Sequence, residues 1–250
     1  MPAPDDVIIS PARTPKDPVL PPVGLLFVNP SEAKRAAVLA KKYRMVEYSL
    51  FNSRLFASAN DDTPFFMAGP AVGAPMAVLC LEKLIACGAG TIIVMGWCGA
   101  LQPSLSPGDL VLPTLARSAE GTSAHYPINC SAASDAGLLQ QLASSLKPHV
   151  PEPCLGPIWT TDAPYRETRG TIQNLQAEGL LAVDMEFSAL CTVAAFRGIR
   201  LAAVMLVSDL LYVRDWRPAF HTKSFKHCSR QLVERLIDFC RNSPLDHPGK

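Results

Sequence analysis

The sequence predicts a three-layer αβα protein built on a central mixed, largely parallel sheet. Three observations lead there. Runs such as "TIIVMG" and "IRLAAVMLVSD" are rich in β-branched and other apolar residues, as strands covered on both faces should be. They alternate along the chain with helical patterns. One of those helices, within "GPAVGAPMAVLCLEKLIACGAG", is apolar nearly all round, which suits burial against a sheet.

In order, "MPAPDDVIISPARTPKDPVLPP" has frequent prolines and no unbroken apolar region, so residues 1–23 read as an extended Pro-rich arm. Residues 24–250 read as a single domain, which the 250-residue length and 48% hydrophobic content support. "GLLFV" is a buried strand, and "PSEAKRAAVLAKKY" opens on a proline and follows as a helix. Short apolar segments come next at "RLFASAN" and "PFFMAG", then the apolar helix. After "TIIVMG" the two glycines of "GWCGAL" predict a tight, ligand-facing loop, and "GDLVLPTLA" is a strand after the Pro107-Gly108 turn. "SDAGLLQQLASSL" reads as an amphipathic helix with Ser134 in the capping position, and "LGPIWTT" as a strand. A helix from about Arg166 to Glu178, a short strand "LLAV", a helix "MEFSALCTVAAFRG" and the strand "IRLAAVMLVSD" follow. A last helix near His221 to Cys240 places Phe225, Cys228, Leu232, Leu236 and Phe239 on one stripe.

Composition narrows the function. Lys and Arg total 23 against 22 for Asp and Glu, a net charge of +1, so no overall field draws the protein to nucleic acid or to an acidic membrane. A small neutral or compact polar ligand is expected instead. The eight cysteines form no CxxC pair and several lie in apolar runs, which points to a reducing cytoplasm. No stretch reaches the roughly 18 consecutive apolar residues of a membrane span. No spacing of His, Cys and carboxylates suggests a metal site.

Ligands gather at the carboxyl ends of the strands of such a sheet. In "VDMEFSAL", Asp184 and Glu186 sit two apart at a strand-to-helix junction. Two readings stand side by side. Both carboxylates complement the helix start, or Glu186 accepts hydrogen bonds from two adjacent sugar hydroxyls. Asp209, ending a largely apolar strand, is either a cap or a general acid whose apolar surroundings favour the protonated form.

Together these stretches resemble the nucleoside phosphorylase superfamily, which holds purine nucleoside phosphorylases, uridine phosphorylases and related nucleosidases. The likeness runs from about Gly24 to the last helix. "GPAVGAPMAVLCLEKLIACGAGTIIVMGWCGALQPSLSPGDLVLPTLARSAEGTSAHY" is similar to the uridine phosphorylase version nearly gap for gap, and "VDMEFSALCTVAAFRGIRLAAVMLVSD" is similar to the family's ribose-binding Met-Glu and Val-Ser-Asp ending. The resemblance implies that Met185 packs under the ribose and Glu186 binds its 2′ and 3′ hydroxyls. It implies that Asp209 protonates a departing purine. "TTDAPYRETR" is similar instead to the uracil-binding segment, which puts Tyr165, Arg166 and Arg169 near the base, or else on a solvated helix start. His125 is either beside the base or a surface histidine.

The departures concern phosphate. Where the resembled phosphorylases carry an arginine and then a serine or threonine, this chain has Val94 and, after Gly96, Trp97. A valine and an indole cannot neutralise a phosphate dianion. The arginine supplied by a neighbouring subunit is replaced by Ser49 or Leu50, with Arg54 nearby, and the early phosphate loop becomes "VNPSEAKRA". Lys34, Arg35, Arg54 and the backbone around Gly73 are the remaining phosphate candidates. The resemblance implies no cofactor, inorganic phosphate as co-substrate, a small-molecule nucleoside as substrate, and a homo-oligomer, dimer or hexamer. Phosphorolysis to free base and ribose 1-phosphate leads; hydrolysis by a nucleosidase and nucleoside binding without turnover are the alternatives.

Overall fold

A computed structural model describes residues 7–58, 65–147 and 152–242; the first six residues of the arm and the ends of "RLFASAN" and "PFFMAG" lie outside them. The described residues of the arm carry no helix or strand before β1 (Val23–Phe27). It lies against the far end of α2 (Ala74–Ala86): the Lys83 ammonium donates to the Ala12 carbonyl at 2.7 Å and to Asp17 at 2.6 Å. Helix α1 (Pro30–Lys42) follows β1, then β2 (Val46–Leu50), β3 (Ser53–Ala57), β4 (Phe66–Gly69) and α2. β5 (Thr91–Ala100), β6 (Leu110–Ala119), α3 (Ala136–Leu146), β7 (Cys154–Thr161), α4 (Arg169–Ala177) and β8 (Ala182–Asp184) come next. The chain closes with α5 (Phe187–Arg197), β9 (Arg200–Leu210), β10 (Arg217–Pro218) and α6 (Lys223–Asn242).

The strands form one mixed sheet, parallel at β4–β1–β5–β9 and at β6–β7–β8. The antiparallel contacts β5–β8 and β9–β6 join those two groups, so β5, β9, β6, β7 and β8 close a ring within the sheet. Helices cover both faces. Ala77 and Leu81 of α2 pack with Leu190 and Val193 of α5 in one apolar cluster; Leu39 of α1, Leu142 of α3 and Leu236 of α6 belong to the other. That division gives the three layers, and it explains why β5 and β9 read as unbroken apolar runs.

Three expectations need correcting. The "GWCGAL" segment is not a loop: β5 continues to Ala100, paired with β9 as Trp97↔Leu206 and, after a register shift at Cys98/Gly99, as Gly99↔Asp209. Its glycines admit close neighbours rather than a turn. A Cβ on Gly99 would stand 2.1 Å from the Leu211 side chain and 3.2 Å from the Asp209 carboxylate. Helix α3 is capped by Asp135, which accepts from the Leu138 N–H at 2.7 Å, while the Ser134 hydroxyl donates to the Pro113 carbonyl. The helix expected from Arg166 starts at Arg169, because the Thr168 hydroxyl accepts from the Thr171 N–H and Pro164–Arg166 form a separate 3-10 turn. The β2–β3 hairpin gave no readable alternation, since β2 is largely exposed.

Candidate active site

A cavity of about 470 Å³ opens at the carboxyl ends of β1, β5, β8 and β9. β8 ends on Asp184, whose carboxylate is consumed by structure: it accepts from the Thr160 hydroxyl at 2.6 Å and from the Glu186 and Phe187 N–H groups at 3.0 and 2.6 Å. That anchors the first turn of α5 and aims the two residues between strand and helix, Met185 and Glu186, at the cavity. Glu186 is only 4% exposed and accepts from the Gly73 N–H at 2.6 Å. Gly73 has φ +83°, a left-handed conformation that a side chain would strain, and it presents its N–H at the start of α2. Burial first, and then the Asp184 charge, push the Glu186 carboxyl up; burial also pushes Asp184 up, against its three donors.

From the end of β9, Asp209 faces the same cavity and accepts from the Ser208 hydroxyl at 2.5 Å and from the Trp216 indole N–H at 2.7 Å. Glu167, between the 3-10 turn and α4, lines the cavity too, and its carboxyl is pushed up to about 7 by burial and by Asp209. Neither Glu167 nor Trp216 was singled out in the sequence. Glu167 stands among the arginines of "PYRETR", which reads as a solvated charge run. Trp216 in "VRDWRP" is an aromatic residue in a polar stretch, the one signal that pointed to it.

The structure divides the remaining candidates. Tyr165 lines the cavity mouth with its ring fully exposed. Arg166 and His125 are exposed on separate 3-10 turns, and Arg169 donates to the Arg214 carbonyl at 2.7 Å; none of the three lines the cavity. Val94 is wholly buried and Gly96 lies inside β5 against Met205. Arg54 is held by Glu47 through two bonds of 2.6 and 2.7 Å. Lys34 and Arg35 line a second cavity instead, and Arg35 pairs there with Glu234.

Trp97 is the wall between the two cavities. Its indole stacks on Phe220, with centroids 5.7 Å apart and planes at 16°, and meets Phe225 edge-on at 5.1 Å. It therefore packs as a core residue on one side and faces ligand space on the other. Beyond it, among the described residues, the first cavity's lining holds four carboxylates, Glu167, Asp184, Glu186 and Asp209, and no lysine or arginine.

Fold and site together define a mixed-sheet α/β protein whose pocket carries carboxyl groups at two strand ends. The phosphorylase superfamily matches residues 23–242, and the chain belongs to that family. A guanosine phosphorylase from Halorubrum lacusprofundi is 28% identical over 226 residues, covering 88% of this chain and 92% of its own. A uridine phosphorylase from Escherichia coli is 22% identical, covering 83% and 86%. The fold matches that of a purine nucleoside phosphorylase from Toxoplasma gondii in complex with immucillin-H, with a TM-score of 0.77, 21% identity and coverage of 90% and 92%.

Proposed function

We propose that the protein cleaves the N-glycosidic bond of a purine nucleoside by phosphorolysis, releasing free base and ribose 1-phosphate. The observation that carries this reading is the convergence of buried Glu186 and of Asp209 on one cavity from two different strand ends. The bond breaks through an oxocarbenium-like state, so the sugar needs a fixed grip and the departing base needs a hydrogen bond or proton. Glu186, locked by Gly73 and by the capped start of α5, accepts from the two ribose hydroxyls, with Met185 beside it. Asp209, oriented by Ser208 and Trp216, serves the leaving base.

The base follows from the acceptors. Uracil offers one N–H between two carbonyls and calls for donors, whereas Arg166 and Arg169 stay outside the lining. A 6-oxopurine with a 2-amino group offers adjacent N–H donors, which suit the Glu167 carboxylate. The guanosine phosphorylase relative agrees with that choice. Hydrolysis and turnover-free binding are not favoured, since the relatives named above are phosphorylases.

The co-substrate brings two negative charges to a lining that has no cation of its own. Positive charge must come from outside that lining, and a homo-oligomer, dimer or hexamer, in which a second copy closes the cavity is the arrangement we favour. A panel of guanosine, inosine, adenosine and uridine in phosphate buffer, followed by release of free base, tests the reading. Guanosine turnover well above uridine supports it; uridine as the preferred substrate overturns the purine assignment.

A further inference from the structure

Glu120 directly follows β6 and is 8% exposed. Its carboxylate accepts from neutral groups on both oxygens. The Ser118 and Ser188 hydroxyls donate to Oε1 at 2.8 and 2.9 Å, and the Thr122 and Ser123 N–H groups donate to Oε2 at 2.6 and 3.0 Å. Among the described residues no cation pairs with it. Burial alone would push the carboxyl up, but the donors of Ser123, Ser118 and Ser188 outweigh it and hold the carboxyl below its ordinary value. A buried negative charge therefore persists here at neutral pH.

The two N–H bonds serve the local turn, whereas the Ser188 bond leads to the active site. Ser188 is wholly buried in the first turn of α5, and its own N–H donates to the Thr160 hydroxyl at 3.1 Å. Thr160 donates in turn to Asp184 at 2.6 Å, and the other Asp184 oxygen accepts from the Glu186 and Phe187 N–H groups. The chain Glu120–Ser188–Thr160–Asp184 thus crosses from the end of β6 to the end of β8, behind Glu186. A second link runs beside it. The Ser123 hydroxyl lies 3.1 Å from that of Thr192, which donates to the Ser188 carbonyl at 2.8 Å. A buried network with every member satisfied is rigid, and an ionised acceptor strengthens the bonds it receives.

We propose that Glu120 is a positioning residue for the ribose grip: through Ser188, Thr160 and Asp184 it fixes the start of α5, and with it the Glu186 carboxyl, without touching the nucleoside. The inference rests on the reading of Glu186 as the group that accepts from the ribose hydroxyls. Glu120 stands outside the cavity lining, so a change there reaches the sugar only by way of the hydrogen-bonded chain.

Calorimetric titration of the full chain with guanosine and with 2′,3′-dideoxyguanosine, which lacks both ribose hydroxyls, tests it. Wild type should bind guanosine about tenfold more tightly than the dideoxy compound. Glu120→Gln keeps the shape and removes the charge, while Ser188→Ala removes only the link and leaves Glu120 its contacts with Ser118, Thr122 and Ser123. Each should lower the preference for guanosine by about threefold or more with affinity for the dideoxy compound unchanged. Glu120→Gln combined with Glu186→Gln should lower it no further than Glu186→Gln alone. A merely structural role would weaken both ligands alike. A preference unchanged in either folded variant, while Glu186→Gln abolishes it, overturns the proposal and leaves the Glu186 reading standing. No preference in wild type, or one that survives Glu186→Gln, overturns that reading and the proposal together.

Discussion

Glu186, proposed to grip the ribose, also costs stability. Its carboxyl is buried beside Asp184 and pushed up, so the folded protein holds that proton to higher pH than the unfolded chain does. Its contribution to stability is therefore full below about pH 4.5 and is lost as pH rises toward the raised value. Glu186→Gln keeps the shape and removes the charge. We expect it to lower kcat/KM by about 100-fold or more and to raise Tm at pH 8 by about 2 °C or more. Unchanged turnover would remove Glu186 from the ribose contact. Burial, and then the Asp209 charge, push the Glu167 carboxyl up to about 7, so guanosine turnover should climb with pH through that value as the carboxylate forms. Glu167→Gln should flatten that limb and reduce the preference for guanosine over adenosine; an unaltered pH profile contradicts its role. Glu186 was legible because it follows a strand in a recognisable block, whereas Glu167 was not, because its neighbours in sequence are exposed arginines and only the turn at Pro164–Arg166 carries it inward.

At the scale of elements, helix starts and close strand contacts hold the site. Asp135 caps α3 and meets the Arg200 guanidinium at 3.2 Å at the beginning of β9. Asp135→Ala should cost about 1–2 kcal/mol, read as a lower urea midpoint with an unchanged slope. The periodicity of α6 and the apolar runs of β5 and β9 made their type readable, because burial on one stripe or on two faces leaves a mark in composition. The extension of β5 through Trp97 was hidden by its glycines, which signal a turn in sequence but here permit the approach of Met205, Leu211 and Asp209. Gly99→Ala tests that reading. The new methyl group must displace Leu211 or Asp209, so activity should fall more than Ile92→Val in the core of the same strand makes it fall.

At the scale of the whole molecule, charge is segregated across Trp97, carboxylates on one side and cations on the other, although the chain as a whole is nearly neutral. Composition averages this away, so neither cavity could be read from net charge. The outer faces of α2 and α5 also expose Leu79 and Phe196, at 46% and 42%, where a second copy has apolar surface to cover. Light scattering at assay concentration should give a mass at least twice 26.9 kDa, and a fully active monomer would contradict the proposed assembly. The central claim is phosphorolysis by a chain whose own lining lacks a cation. The most direct measurement is base release from guanosine across a phosphate titration, with the sugar product identified. Saturable dependence on phosphate with ribose 1-phosphate as product is the result expected; equal release without phosphate, yielding free ribose, would contradict it.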